Sequence, residues 1–279
     1  MEYIDKELTH IINITINTFS EAFRDDDSVI SLFAIGSMAS SNYLPKKNND
    51  FDLRLLISNP TPAFFHKLNK LADDIVATYQ HETKYALSWD SVIGPARHIS
   101  SQRPTLLLHI IVLTDDTLAK LPTMHRRSYA SKYVIFDGID VLEEYKGIPL
   151  SATAILDDIE GIRYCRRCLT DGIFQFQKWQ VVNEECYLTT FREPFSIEGS
   201  YEFFRYSVLK GIENANSLCL QENNSTCIRN VHDIATVAYP VTFVPFDEFV
   251  NTPGYYITFA QDILLKLEVI IQQMIDTGE

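Results

Sequence analysis

No stretch of about 18 consecutive apolar residues occurs in the chain, so no membrane-spanning helix is expected. No low-complexity tract or internal repeat stands out, and glycine is scarce, with 10 in 279 residues. Positive charge is also in short supply. There are 24 Lys and Arg against 37 Asp and Glu, a formal net charge of −13. A nucleic-acid-binding face needs a basic surface, so this balance argues against nucleic acid as a partner. It suits a cationic small molecule, which an acidic cleft attracts. The first residues, Met-Glu-Tyr-Ile-Asp-Lys-Glu, carry charge and no apolar segment, so no secretory signal is read there and a cytoplasmic location is expected. Cysteines are few and odd in number, five in all, and reduced thiols are the matching expectation. Cys165 and Cys168 have C-x-x-C spacing, but Arg166 and Arg167 between them continue a helical pattern, and no second ligand pair accompanies them. They read as structural thiols.

What the chain does have is a 46% hydrophobic composition, enough for one large domain or two modest ones. Its most informative stretch runs from Ala34 to Ile57, AIGSMASSNYLPKKNNDFDLRLLI. An apolar strand pattern, Val29 to Ile35, ends at Gly36-Ser37. A polar loop follows, and then a second strand pattern that carries Asp50 and Asp52 at its start. Residues i and i+2 of a strand share a face, so both carboxylates point the same way. Like charges that close need a cation or a raised pKa. A hard divalent ion held by carboxylates and substrate phosphates is the natural partner. Gly36 permits a tight turn, and Ser37 offers a hydroxyl and an N–H to an anion.

Gly36-Ser37 followed by Asp50-Phe51-Asp52-Leu53 resembles the signature of the nucleotidyltransferase superfamily that includes DNA polymerase beta. Within it, the order of elements is similar to that of the aminoglycoside and lincosamide nucleotidyltransferases. The resemblance implies transfer of a nucleoside monophosphate from a nucleoside triphosphate, ATP by family habit, to a hydroxyl of a small, amine-bearing acceptor. It implies Mg²⁺, or Mn²⁺, on Asp50 and Asp52. It also implies a phosphate site at Gly36 and Ser37, helped by Arg205 and Lys210 of a later helix. A third carboxylate is expected from a strand after the next helix, and here the chain departs from the pattern. The run Leu106 to Leu113 holds His109 and no carboxylate, while Asp90 lies in the preceding strand pattern. Three alternatives stay open: His109 as base or third ligand, Asp90 in that role, or neither. With neither, the chain is a degenerate relative that binds nucleotide or a protein partner. A toxin-like enzyme that nucleotidylates tRNA or protein is a further alternative, against which the acidic charge counts.

The rest reads as follows. Residues 4–24 have helical apolar spacing, and Thr61-Pro62 opens a second helix that runs to about Gln80. Residues 85–93 and 105–113 are strand patterns that either pair as a hairpin or lie apart. From about residue 150 strand patterns give way to helical ones. The expectation is an α/β (α+β) domain with a small mixed sheet over 1–150, then an all-helical bundle over 151–279. In that bundle, 151–182 reads as one or two helices, Asn183 starts another, Tyr239-Pro240 breaks a helix, and Pro253-Gly254 is a turn. A monomer or homodimer is expected.

Overall fold

The computed structural model describes residues 5–39, 43–94, 101–121, 126, 129–146 and 152–277. Among these, contacts cluster into two compact units. The first runs to Leu121 and includes residues 129–146 and Phe176–Phe191; the second holds residues 152–175 and those from Arg192 onward.

The first unit is a mixed five-stranded sheet, in the order β3-β4-β2-β1-β5. Its strands are β1 (Val29–Ile35), β2 (Asn48–Ile57), β3 (Ala86–Asp90), β4 (Thr105–Thr114) and β5 (Tyr133–Gly138). β1 runs antiparallel to β2 and to β5, and β4 runs parallel to both β2 and β3. The two strand patterns left open above therefore lie side by side in parallel and are not a hairpin.

Helices α1 (Lys6–Phe23) and α2 (Pro62–Tyr79) cover one face. Each starts as its sequence dictates. The Asp5 carboxylate accepts the N–H groups of Glu7 and Leu8, and the Thr61 hydroxyl accepts that of Phe64, with Pro62 in the first turn. Leu8, Ile12, Phe19, Phe64 and Leu68 from these helices join one core with Phe51, Leu53, Leu55 and Ile57 of β2 and Leu106, Leu108, Ile110 and Val112 of β4. Strand alternation then sends Asp50, Asp52 and Arg54 of β2, and Leu107 and His109 of β4, to the opposite face. A short helix, α3 (Asp115–Lys120), follows β4 behind a Thr114–Thr117 capping box.

In the second unit, α4 (Ala152–Asp171) ends at Gly172, whose φ of +64° stops the helix. Residues 173–190, expected as helix, lie instead in a β-hairpin: β6 (Ile173–Val182) and β7 (Glu185–Pro194). The turn is Asn183-Glu184, both at positive φ, which matches the twist of a tight hairpin. Phe174 and Phe176, two apart and both buried, carry the strand period that a helical reading overlooks. Most of the hairpin packs with the first unit. The Trp179 indole donates to the Val112 carbonyl at 3.1 Å and lies 5.7 Å from the Phe65 ring. Ile93 and Gln177 exchange both backbone hydrogen bonds, at 2.7 and 3.1 Å.

Further helices of the second unit are α5 (Ile197–Gln221), α6 (Ser225–Thr242), α7 (Phe246–Asn251) and α8 (Pro253–Thr277). Pro240 sits inside the last turn of α6 and does not break it there, and Pro253 begins α8 where a turn was expected. Glu268 on α8 receives Arg163 at 2.7 Å and Arg166 at 2.6 Å, both from α4.

The turn between α5 and α6 brings Cys219 and Cys227 to a Cα separation of 5.5 Å, and they form a disulfide, against the expectation of five reduced thiols. The helix hairpin creates this proximity, which linear spacing does not announce. Cys165, Cys168 and Cys186 are free. A thiol titration of the unfolded, unreduced chain is therefore expected to count three groups. Closing a loop of 8 residues stabilises by about 2.5 kcal/mol in the chain-entropy account, so reduction should lower the melting temperature measurably. A count of five sinks this expectation.

Candidate active site

The site lies on the sheet face opposite α1 and α2. Register alone assembles it. Asp52 stands beside Ile35, the last residue of β1, and beside His109 of β4; His109 in turn stands beside Asp90, the last residue of β3. Asp52, His109 and Asp90 thus lie in a row across three strands, with Asp50 and Arg54 two residues to either side of Asp52.

Gly36 follows β1 at φ +78°, a conformation that a side chain disfavours. Its amide donates to the Lys132 carbonyl at 3.0 Å. A Cβ here would stand 3.2 Å from Asp52 Oδ2. Glycine is thus needed both for the turn and for the approach to the carboxylate. Ser37 is exposed at the start of a single 3-10 turn, Ser37–Ala39.

The loop before Asp50 is tied down by Asn49, which is fully buried. Its carbonyl oxygen accepts the Tyr43 hydroxyl at 3.1 Å and the Lys46 N–H at 2.8 Å. Its amide donates to the carbonyls of Lys46 at 2.8 Å and Thr105 at 2.9 Å. All four capacities of the side chain are used.

Arg54, read above only as part of an apolar run, is the main addition from the structure. It is 3% exposed. One terminal nitrogen holds Asp52 Oδ1 at 3.0 Å, and the other donates to the carbonyls of Leu53 at 3.1 Å and His109 at 3.2 Å. The guanidinium lies 5.7 Å from the Tyr129 ring centre.

His109 is 2% exposed. Nδ1 lies 2.9 Å from Asp52 Oδ1, and Nε2 lies 2.8 Å from the Val92 carbonyl and 3.3 Å from Asp90 Oδ1. Every neighbour of both nitrogens is an acceptor oxygen, so the geometry calls for a proton on each. A ring so protonated has no lone pair for a metal and none to take up a proton. In this arrangement His109 holds the Asp52 carboxylate through Nδ1.

The electrostatics split the two aspartates. Burial and the charge of Asp52 push the Asp50 carboxyl up to about 6. Burial also works against ionisation of Asp52, but Arg54 and the His109 hydrogen bond outweigh it and hold Asp52 below the usual carboxylate range. For His109, burial favours the neutral ring, and the hydrogen bond to Asp52 overcomes it, raising the pKa.

Arg205 and Lys210 lie on α5 in the second unit. Arg205 stacks over Tyr201 and Phe243, at 5.3 and 5.6 Å, and lies 3.9 Å from Glu202. Lys210 pairs with Glu213 at 3.1 Å. Each cation is thus held by neighbours on its own unit.

No protein-family model and no curated protein sequence matches the chain. Among solved structures, similarity is found to the spectinomycin adenyltransferase AAD(9) from Enterococcus faecialis, with ATP and spectinomycin. The match has 10% identity and a TM-score of 0.45, over 90% of this chain and 98% of that one. A toxin-antitoxin structure with AMP-PNP matches at 11% identity and a TM-score of 0.27, over 56% of this chain and 95% of that one.

Proposed function

We propose that the chain is a metal-dependent nucleotidyltransferase that moves a nucleoside monophosphate from a triphosphate, ATP first among them, to a hydroxyl of a small cationic acceptor. The observation that carries the reading is the Asp50–Asp52 pair, with the Gly36 turn set against Asp52 Oδ2. Two carboxylates on one strand face, one of them forced toward its neutral form by burial and by the charge of the other, make a donor set of hard oxygens that a divalent cation relieves. Asp50 and Asp52 Oδ2 would hold Mg²⁺ or Mn²⁺. The ion supplies neutralisation of phosphate charge and a lower pKa for the attacking hydroxyl. The residues of the chain do the rest. Arg54 and His109 fix the Asp52 carboxylate from behind, the Gly36 turn leaves room for the terminal phosphates, and the exposed Ser37 offers them a donor. The acceptor oxygen bonds to the α-phosphorus as the α–β bridge breaks, pyrophosphate leaves with the bridging oxygen, and the hydroxyl proton passes to solvent water. The net charge of −13 favours an amine-bearing acceptor over a polyanion.

The test is thermal unfolding with ATP, GTP, CTP and UTP, each with Mg²⁺ and with Mn²⁺, for the native chain and Asp52→Asn. A ligand at about 100 times its dissociation constant stabilises by about 2.7 kcal/mol. Stabilisation by one triphosphate that needs metal and is lost in Asp52→Asn supports the reading; none with any triphosphate overturns it. Gly36→Ala is expected to lose the same response and about 1–2 kcal/mol of stability, because its Cβ strains the turn and crowds Asp52. An unchanged response in that variant would remove the turn from the site.

One observation favours a second reading, a nucleotide-binding protein without turnover: the β4 neighbours of Asp50 and Asp52 are Leu107 and His109, neither a carboxylate. Normal triphosphate binding without product from any amino-sugar acceptor would select it.

A further inference from the structure

We propose that the site takes one divalent ion, not two, because Arg54 and His109 occupy the oxygen of Asp52 that a second ion would need. This rests on the nucleotidyltransferase reading and specifies its metal count. Two-metal phosphoryl-transfer sites hold their ions about 3.5–4 Å apart. A shared carboxylate spans such a pair by giving one oxygen to each ion.

Asp52 cannot do so. Its Oδ1 receives two N–H donors, from His109 Nδ1 at 2.9 Å and from Arg54 at 3.0 Å. A carboxylate oxygen has two lone-pair sites, and both are taken. Neither donor is loose. Arg54 is fixed through its other terminal nitrogen to the carbonyls of Leu53 and His109, and His109 through Nε2 to the Val92 carbonyl. Both side chains are almost fully buried, at 3% and 2% exposure. An ion that displaced them would leave a guanidinium buried without its carboxylate, which is strongly unfavourable.

What remains is Asp52 Oδ2 and the carboxylate of Asp50. That is a donor set for one ion whose other ligands are phosphate oxygens and water, the usual manner of Mg²⁺. Strand β4 adds nothing for a second ion, since Leu107 and His109 stand at its facing positions. Among the described residues no group of three His, Cys, Asp or Glu side chains converges as a metal site. The permanent charge of Arg54 takes the place of a second cation at Asp52.

The experiment is equilibrium dialysis of the native chain against Mn²⁺ and the α,β-methylene analogue of whichever triphosphate stabilises it, with bound metal and bound nucleotide counted separately. The expected ratio is one Mn²⁺ per bound nucleotide, with an electron paramagnetic resonance spectrum free of spin coupling between ions. Little Mn²⁺ should bind when nucleotide is left out. Two Mn²⁺ per nucleotide with a coupled spectrum overturns the single-ion inference and leaves the nucleotidyltransferase reading standing. Nucleotide that binds without metal, or not at all, overturns both.

Discussion

Arg54→Met is expected to destabilise the chain by about 3 kcal/mol, a drop of roughly 6–12 °C in the melting temperature of a unit this size. Methionine fills much of the same space, so packing is largely kept. What is lost is the partner of a carboxylate that Arg54 holds at 3.0 Å, together with donors to two backbone carbonyls. Removing one member of a buried ion pair costs more than the pair contributes, because the remaining charge stays desolvated. Arg54→Lys should recover only part of the loss: an ammonium is a point charge and cannot span Asp52 and both carbonyls as the planar fork does. Calorimetry of the three proteins decides this. A methionine variant that melts within about 2 °C of the native chain would show that the pair is not a structural element.

Asp50→Asn and Asp52→Asn are expected to move stability in opposite directions, although both should abolish metal-dependent triphosphate binding. Asp50 titrates near 6 in the folded chain against 3.8 for an unperturbed carboxyl, so its ionised form opposes folding. A group with a raised folded pKa favours folding below its unfolded pKa and loses that contribution as pH rises through the folded value. The penalty is therefore absent near pH 4, grows toward pH 6 and is complete above it. Two pKa units correspond to about 3 kcal/mol at most. With the side chain partly open to water, about 1–2 kcal/mol of stabilisation is expected for Asp50→Asn at pH 7.5. Asp52 has the opposite sign. Its pKa is lowered, so its contribution is present above 3.8 and fades as pH falls through its folded value. Asp52→Asn leaves Arg54 without its counter-charge and should destabilise by about 2–4 kcal/mol at neutral pH, with the deficit shrinking in acid. Melting curves carried from pH 8 down to about pH 2 read both trends, that of Asp50 between 4 and 6 and that of Asp52 below 3.8. Parallel shifts of the two variants would refute the assignment of unlike roles to the two aspartates.

Much of this site could be read from the chain before its geometry. Gly36-Ser37 after an apolar strand, and Asp50 and Asp52 alternating with Phe51 and Leu53, carry the period of a sheet with a turn beside it, and the sheet follows that period. Helices α1 and α2 were legible from their caps and apolar spacing. Arg54 was not, although a signal existed: a basic residue at i+2 from Asp52, in a strand otherwise rich in leucine, shares its face and needs a counter-charge if buried. The atoms that His109 meets were hidden for another reason. They depend on parallel register with β2 and β3 and on the path of residues 91–93, which no local pattern states. The hairpin of residues 173–194 was hidden by proximity to α4, since Phe174, Phe176 and Trp179 also fit a continuing helical face. The Cys219–Cys227 bond depends on how two helices fold back on each other.

The parallel pairing of β2 with β4 matters for time as well as for energy. Asp52 and His109 are 57 positions apart, and a parallel crossover must close before they meet. Non-local pairings of that kind form slowly, while a helix such as α1 relaxes within about a microsecond. During that interval Asp52 is not alone, because Arg54 stands two residues away on the same extended segment. The ion pair can form as soon as β2 does, before β4 has arrived, and it acts as an early escort for a carboxylate that would otherwise enter the core unpaired. Arg54→Met should accordingly slow refolding in stopped-flow experiments as well as hasten unfolding; a change confined to unfolding would mean that the escort arrives with the rest of the sheet.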